Sequence, residues 1–276
     1  LFWKSKMYLG VFFSSNIIMA TIVSSTIYFL LKFIFRNSLD IKIFNFIFSY
    51  HLFFIFYFFL FAKTNDSDSL KYFYDASNGY FSGKLMYFGG NFVKMISNKL
   101  IKLFNFDYFS LNIIFGSLGT FGFLILASLI QSKFKQNKIW IYIFVASMCI
   151  PTLNLFTTHI GKDSIMFFAI CLFIWSIDNL NRNYKKYFTL IIAISIMSFT
   201  RLHLALPILF IFSLFFSFLI KDISKIEKRT YFIFLLVLMW VIFLFQIEIM
   251  QTAGIISELG GMSTNPKLND IGYILE

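Results

Sequence analysis

The stretch that decides the fold is Ile43–Asp68, IFNFIFSYHLFFIFYFFLFAKTNDSD. Twenty mostly apolar residues, Ile43–Ala62, end abruptly in Lys63-Thr64-Asn65-Asp66-Ser67-Asp68. A run of that length matches a helix crossing the hydrocarbon core, which takes about 20 residues. The switch to Asn, Asp and Ser marks where the chain leaves the apolar layer. Similar runs lie on both sides. Met7–Ile34 precedes it, and Leu111–Ile130, Ile139–Ile150, Ser164–Ile177, Tyr187–Thr200, Leu204–Ile220 and Tyr231–Met250 follow. The chain is 59% hydrophobic with a mean hydropathy of +0.78, well above the roughly 45–50% of a soluble domain. The expected fold is an all-α polytopic transmembrane bundle of about eight spans, a single domain over 1–276. Met7–Ile34 is too long for a signal-peptide core and is expected to stay as a span. The chain opens at Leu1, so it is read as open to extension at either end.

The net charge of +11 does not indicate nucleic acid, because the cations fall in short loops between spans. On one side lie Lys32, Arg36 and Lys42; Lys133, Lys135 and Lys138; Arg182, Lys185 and Lys186; and Lys221, Lys225, Lys228 and Arg229. Lys and Arg are retained in the cytoplasm, so this side is expected to face it. A bacterial plasma (inner) membrane is the expected location. The 42 Phe are read as lipid-facing bulk. Cys149 and Cys171 lie within spans and are read as packing residues, as is His51.

The opposite, periplasmic or extracellular side collects the remaining polar groups. Ionisable groups at membrane helix ends are functional candidates. Asp66 and Asp68 open a long segment, Lys63–Ser110. If a helix starts near Ser67, Asp68, Tyr72 and Asp75 share one face. A carboxylate there suits a general base, and Asp66 with Asp68 could hold a divalent cation such as Mg or Mn through oxygen ligands. Helix capping by the same residues is the plainer alternative. Further along, Phe88, Phe92, Met95, Ile96, Ile101 and Phe104 recur at helical spacing between Lys94, Lys99 and Lys102, with Leu85 and Lys84 before them. They predict amphipathic helices on the outer membrane surface, broken at Gly79, Gly83, Gly89 and Gly90.

Two further motifs belong to the same side. His159-Ile160-Gly161-Lys162-Asp163-Ser164 opens a short span, and one helical turn can present His159, Lys162 and Asp163 together. Lys162 at a helix start opposes the helix dipole, so a bound anion such as phosphate, or pairing with Asp163, would account for it. Arg201-Leu202-His203 is expected to form a tight turn between two spans, with an Arg fork suited to phosphate or simply snorkelling to headgroups. The short spans bracket Pro151–Asp163 and Arg201–His203, so both segments are expected to dip into the membrane. No phosphate-binding Gly loop, dinucleotide fingerprint or zinc signature is present in the sequence.

These features together resemble bacterial membrane glycosyltransferases of the GT-C type and polysaccharide polymerases of O-antigen or exopolysaccharide clusters. The likeness covers about residues 43–220 and rests on three elements. They are the acidic cluster Asp66, Asp68 and Asp75, the Gly161-Lys162-Asp163 helix start after Pro151, and Arg201-x-His203, where Leu202 stands in place of a frequent Pro. The resemblance implies transfer from a polyprenyl-phosphate-linked sugar to a glycan acceptor. Asp68 or Asp75 would act as base, His159, Lys162 and Arg201 would hold the leaving phosphate, and Asp163 would orient Lys162. A repeat-unit polymerase, a lipid-linked glycan transporter or flippase, and a structural subunit of an export complex are the alternatives.

Overall fold

The computed structural model describes residues 17–65, 67–80, 88–134, 139–178 and 185–219, side chains of 63, 185 and 211–219 excepted. Asp66, the part of the first predicted span before Ile17, the connections 81–87 and 179–184, and the last predicted span Tyr231–Met250 lie outside them. The described residues are all-helical. In chain order the helices are α1 (Ile17–Phe35), α2 (Ile41–Thr64), α3 (Asp68–Ser77), α4 (Gly90–Phe104), α5 (Tyr108–Lys133), α6 (Ile139–Met148), α7 (Pro151–Thr157), α8 (Lys162–Ile177) and α9 (Lys185–Leu219).

Four helices among the described residues are long and apolar enough to cross a membrane: α1, α2 (Ile41–Ala62), α5 and the Lys186–Phe210 part of α9. A fifth is reached if α6 and α7, bent by 68° at Cys149–Ile150, count as one broken span. The bend has a clear cause. Pro151 sits at the first position of α7 with Ile150 extended before it, as the steric demand of proline requires. The predicted break between two spans at Arg201–His203 shrinks to a single residue. Within Lys185–Leu219 two helical segments meet at a kink at Arg201, the one residue there off helical geometry (φ −150°, ψ 81°).

Contacts group the chain into two units, Leu1–Arg201 and Leu202–Glu276. In the first, α5 is the central helix. About 61% of its span is buried, against 11% for α1, whose Ile18, Phe29 and Phe33 are exposed in the manner of lipid-facing side chains. Close packing against α5 depends on Gly116, Gly119 and Gly122, which recur every third residue. A Cβ on Gly119 would stand 2.3 Å from the Thr157 carbonyl oxygen of α7. One on Gly116 would stand 2.6 Å from Ile55 of α2, and one on Gly122 would stand 2.9 Å from Phe167 of α8. Small residues at such crossings are the usual means of helix association in lipid, where apolar burial gives little drive.

Helices α5 and α8 run side by side in the same direction. Asn112 of α5 meets Ile160 just ahead of α8, Phe123 meets Phe167, and Lys133 meets Asp178 at the far end. Yet α5 has 26 residues and α8 has 16. At 1.5 Å per residue α8 is about 24 Å long, short of the roughly 30 Å hydrocarbon core. The two helices finish level, so the start of α8 is recessed below the start of α5 by about 15 Å. The amphipathic pair α3–α4 covers this recess. Leu70, Phe73 and Val93 join Tyr108, Leu111, Ile160 and Ile165 in one core cluster. The apolar stripe predicted to lie on the membrane surface is thus partly turned onto the bundle, through Phe92, Ile96 and Ile101, while Phe104 remains exposed.

Candidate functional site

Helix α3 starts where the sequence places it, at Asp68, with Ser67 as its cap. The Ser67 hydroxyl accepts from the Leu70 N–H at 3.4 Å. Asp68 lies in the first turn and is exposed, a favourable place for a carboxylate beside the positive helix end. One turn later Tyr72 leans over Gly90, whose missing side chain makes room for the ring, since a Cβ there would lie 3.1 Å from it. Asp75 does not join Asp68. It pairs with Lys94 of α4 at 2.6 Å, and Asn98 donates to the Ala76 carbonyl at 2.6 Å, so this end of α3 is tied to α4. Lys94, expected among the surface cations of an amphipathic helix, is spent in that tie.

The loop between α7 and α8 is held from several sides. Asn112, fully buried in α5, accepts from the Ile160 N–H at 3.1 Å and donates to the Ile55 carbonyl of α2 at 3.5 Å. Ser164 donates to the carbonyls of His159 and Gly161, each at 3.1 Å. The His159 ring stacks on Phe58 with centroids 4.4 Å apart, and its Nδ1 contacts the Leu155 carbonyl at 2.8 Å. Burial lowers the His159 pKa. The Leu155 carbonyl and the carboxylates of Asp163 and Asp68 oppose that shift. Below this loop, His51 and Asn154 form a buried pair at 3.1 Å, and Asn154 also donates to the Met148 and Ile150 carbonyls, bracing the α6–α7 bend.

At the start of α8, Gly161 caps without a side-chain bond. Asp163 pairs with Arg201 at 2.5 Å rather than with Lys162. Lys162 is half-buried beside it. The expectation that Asp163 orients Lys162 therefore gives way to a tie across 38 residues of sequence, made by one Nη2–Oδ1 contact, a charge-assisted bond of the stronger kind. The break at Arg201 fits this role. An interrupted helix leaves carbonyls unbonded, and the Phe199 carbonyl accepts from the Gly89 N–H at 2.8 Å. Phe199 is also sandwiched between Phe88 and Phe92. Helix α9 is thus pinned to the start of α4 two residues before Arg201.

The result is a cluster drawn from three separate stretches of sequence. The phenol of Tyr72 is raised above its ordinary value by burial first. The charges of Asp68 and Asp163 add to the rise, and Arg201 opposes it. Asp68 and Asp163 therefore each bear on both Tyr72 and His159, and Arg201 on Tyr72 and Asp163, at the start of α8. Asp75 stands apart on Lys94, and His203, exposed, belongs to the second unit. Among the described residues no group of three or more His, Cys, Asp or Glu side chains is placed to hold a metal ion. The Asp66–Asp68 cation pair falls partly outside them, at Asp66.

Sequence reading did not single out Asn112, Asn154 or the Gly116, Gly119 and Gly122 stripe. Polar amides inside apolar spans and glycines at every third position were the available signals. Comparison with family models, with curated proteins and with solved structures gives no match to this chain.

Proposed function

We propose that this chain is a membrane glycosyltransferase that moves a sugar from a polyprenyl-phosphate carrier to a glycan acceptor in cell-surface polysaccharide synthesis. The observation that carries this reading is the convergence of Asp68, Tyr72, His159, Asp163 and Arg201 in a recess at one end of an apolar bundle. A lipid-linked donor can approach such a recess from the side, with its tail in the bilayer and its phosphate at the recessed start of α8. Asp68 takes the proton of the acceptor hydroxyl as its oxygen bonds to the anomeric carbon. The bond from that carbon to the phosphate oxygen breaks, and the phosphate leaves with the negative charge. Arg201 and Lys162 stabilise that charge with His159 beside them. Preorganised cations contribute most where charge develops. Asp163 holds the guanidinium of Arg201 in place. Asp68 is preferred to Asp75 as the base, since Asp75 is neutralised by Lys94. The cations at the far ends of α1, α5 and α9 support a reading in which the recess faces the periplasm or exterior.

The test is the lipid-linked glycan profile of a strain lacking the gene, complemented with wild type, Asp68→Asn or Arg201→Ala. A unit truncated by one sugar, restored by wild type and by neither variant at equal membrane expression, supports a transferase. Accumulation of complete single units identifies a repeat-unit polymerase instead. Full restoration by both variants removes the proposed roles.

A further inference from the structure

The end of the bundle opposite the recess carries a second feature that the proposed reaction does not use. An open cavity of about 430 Å³ lies between the start of α2, the end of α5 and α6, with Phe46, Ile141, Tyr142 and Val145 on its walls. A neighbouring cavity of about 570 Å³ is lined by Arg36, Asn37, Ser38 and Ser132. Asp40 and Gln131 line both, so an apolar trough opens onto a polar basin. The shared wall is fixed, because the Asp40 N–H donates to the Gln131 side-chain oxygen at 3.1 Å.

We infer that trough and basin together bind one anionic phospholipid, its acyl chain along α6 and its phosphate between Arg36 and Lys42. Three observations select this occupant. The trough is made by α2, α5 and α6, helices long and apolar enough to cross a membrane, α6 together with α7, so its natural filling is a lipid chain. The polar basin adjoins the trough at Asp40 and Gln131, so an apolar and a polar compartment lie side by side, as an amphiphile requires. The charges at that end are complementary to a phosphate. Arg36 lines the basin and Lys42 the trough mouth, and Lys32 sits one turn before Arg36, over the Tyr28 ring. The carboxylate shared by the two walls, Asp40, is turned to the start of α2, where its Oδ1 accepts from the Lys42 N–H at 2.8 Å. Each Lys or Arg near an anionic headgroup raises its affinity about fivefold, so two give a preference of about 25-fold over a zwitterionic lipid.

The test uses the full chain purified in detergent, exchanged with phosphatidylglycerol or phosphatidylcholine and weighed intact by native mass spectrometry. Wild type is expected to retain one phosphatidylglycerol with about 25-fold preference. Arg36→Gln/Lys42→Gln, both on exposed positions, should bring the ratio near parity. Val145→Trp should fill the trough and lower retention of both lipids. Lys99→Gln/Lys102→Gln, exposed cations on α4, should leave the ratio unchanged. Equal retention of the two lipids by wild type overturns the inference. So does an unchanged ratio in the Arg36/Lys42 variant, or an equal loss in the Lys99/Lys102 variant. If Val145→Trp fails to fold, the two charge variants still decide.

Discussion

The two ends of the described bundle each hold an ion pair 2.5 Å long, Arg201 with Asp163 at the recess and Lys133 with Asp178 at the other end. They differ in what surrounds them. Lys133 is 56% exposed, and a second cation, Lys186, joins it by donating to the Asp178 carbonyl. Lys186 reaches the Trp175 carbonyl and lies over the Trp175 ring, and Arg36 lies over Phe33. These are the ways long cations anchor helix ends at an interface. At the recess end both partners are about one-third exposed, and a tyrosine, a histidine and a second carboxylate stand within electrostatic reach. One end distributes charge along a surface, and the other concentrates unlike charges in a depression. The recess exists because α8 is short and α5 is long, so the difference between the ends traces to helix length.

If the recess end is the specifically built one, substitutions there should cost more than their counterparts at the Lys-rich end. The largest effect on stability is expected at Gly119, where the first turns of the recess are seated. Gly119→Ala places a methyl 2.3 Å from the Thr157 carbonyl oxygen and should destabilise by about 1–3 kcal/mol through overpacking. Thermal unfolding in detergent measures it. A neutral result would mean that α7 is free to shift and that the recess is not rigidly set.

Asn112→Leu should follow, at about 1–3 kcal/mol, because the buried Ile160 N–H loses its acceptor. Hydrogen exchange at Ile160 should accelerate with it. Gln131→Leu, which removes the acceptor of an exposed N–H at the other end, should cost well under that. Equal costs would erase the distinction between the ends.

A double-mutant cycle on Arg201 and Asp163 should return a coupling of about 1 kcal/mol, since both groups are partly screened by solvent. The same cycle on Lys133 and Asp178 should return less than about 0.5 kcal/mol. A reversed order would show that depth in the bundle, and not partner geometry, sets the coupling.

The smallest expected effect concerns pH. The His159 pKa is lowered in the folded chain by burial, so below about pH 6.5 the unfolded chain binds a proton that the folded one resists. Stability contributed by neutral His159 is present above that pH and is lost as pH falls through the folded value. His159→Phe should flatten the acid side of the stability curve, by less than about 1 kcal/mol at pH 5.5. An unchanged acid limb would assign the loss to other groups.

The sequence by itself determined that this is an apolar helical membrane chain, because the hydrophobic cost of leaving runs such as Ile43–Ala62 in water is local and additive along the chain. It also determined where two helices start. Ser67 before Asp68 and Pro151 after Ile150 are read from neighbouring residues, since capping and proline sterics act within a turn, whereas the long central helix starts at Tyr108, three residues before the expected Leu111. Only the tertiary structure decided which polar groups meet. Asp163 was as close in sequence to Lys162 as any residue can be, yet its partner is Arg201. Asp75 shared a predicted face with Asp68, yet Lys94 holds it. Pairing depends on which helix ends are brought level, and that is set by the Gly116, Gly119 and Gly122 stripe on α5 and by the length difference between α5 and α8. Those are long-range packing constraints, and local pattern carries no record of them.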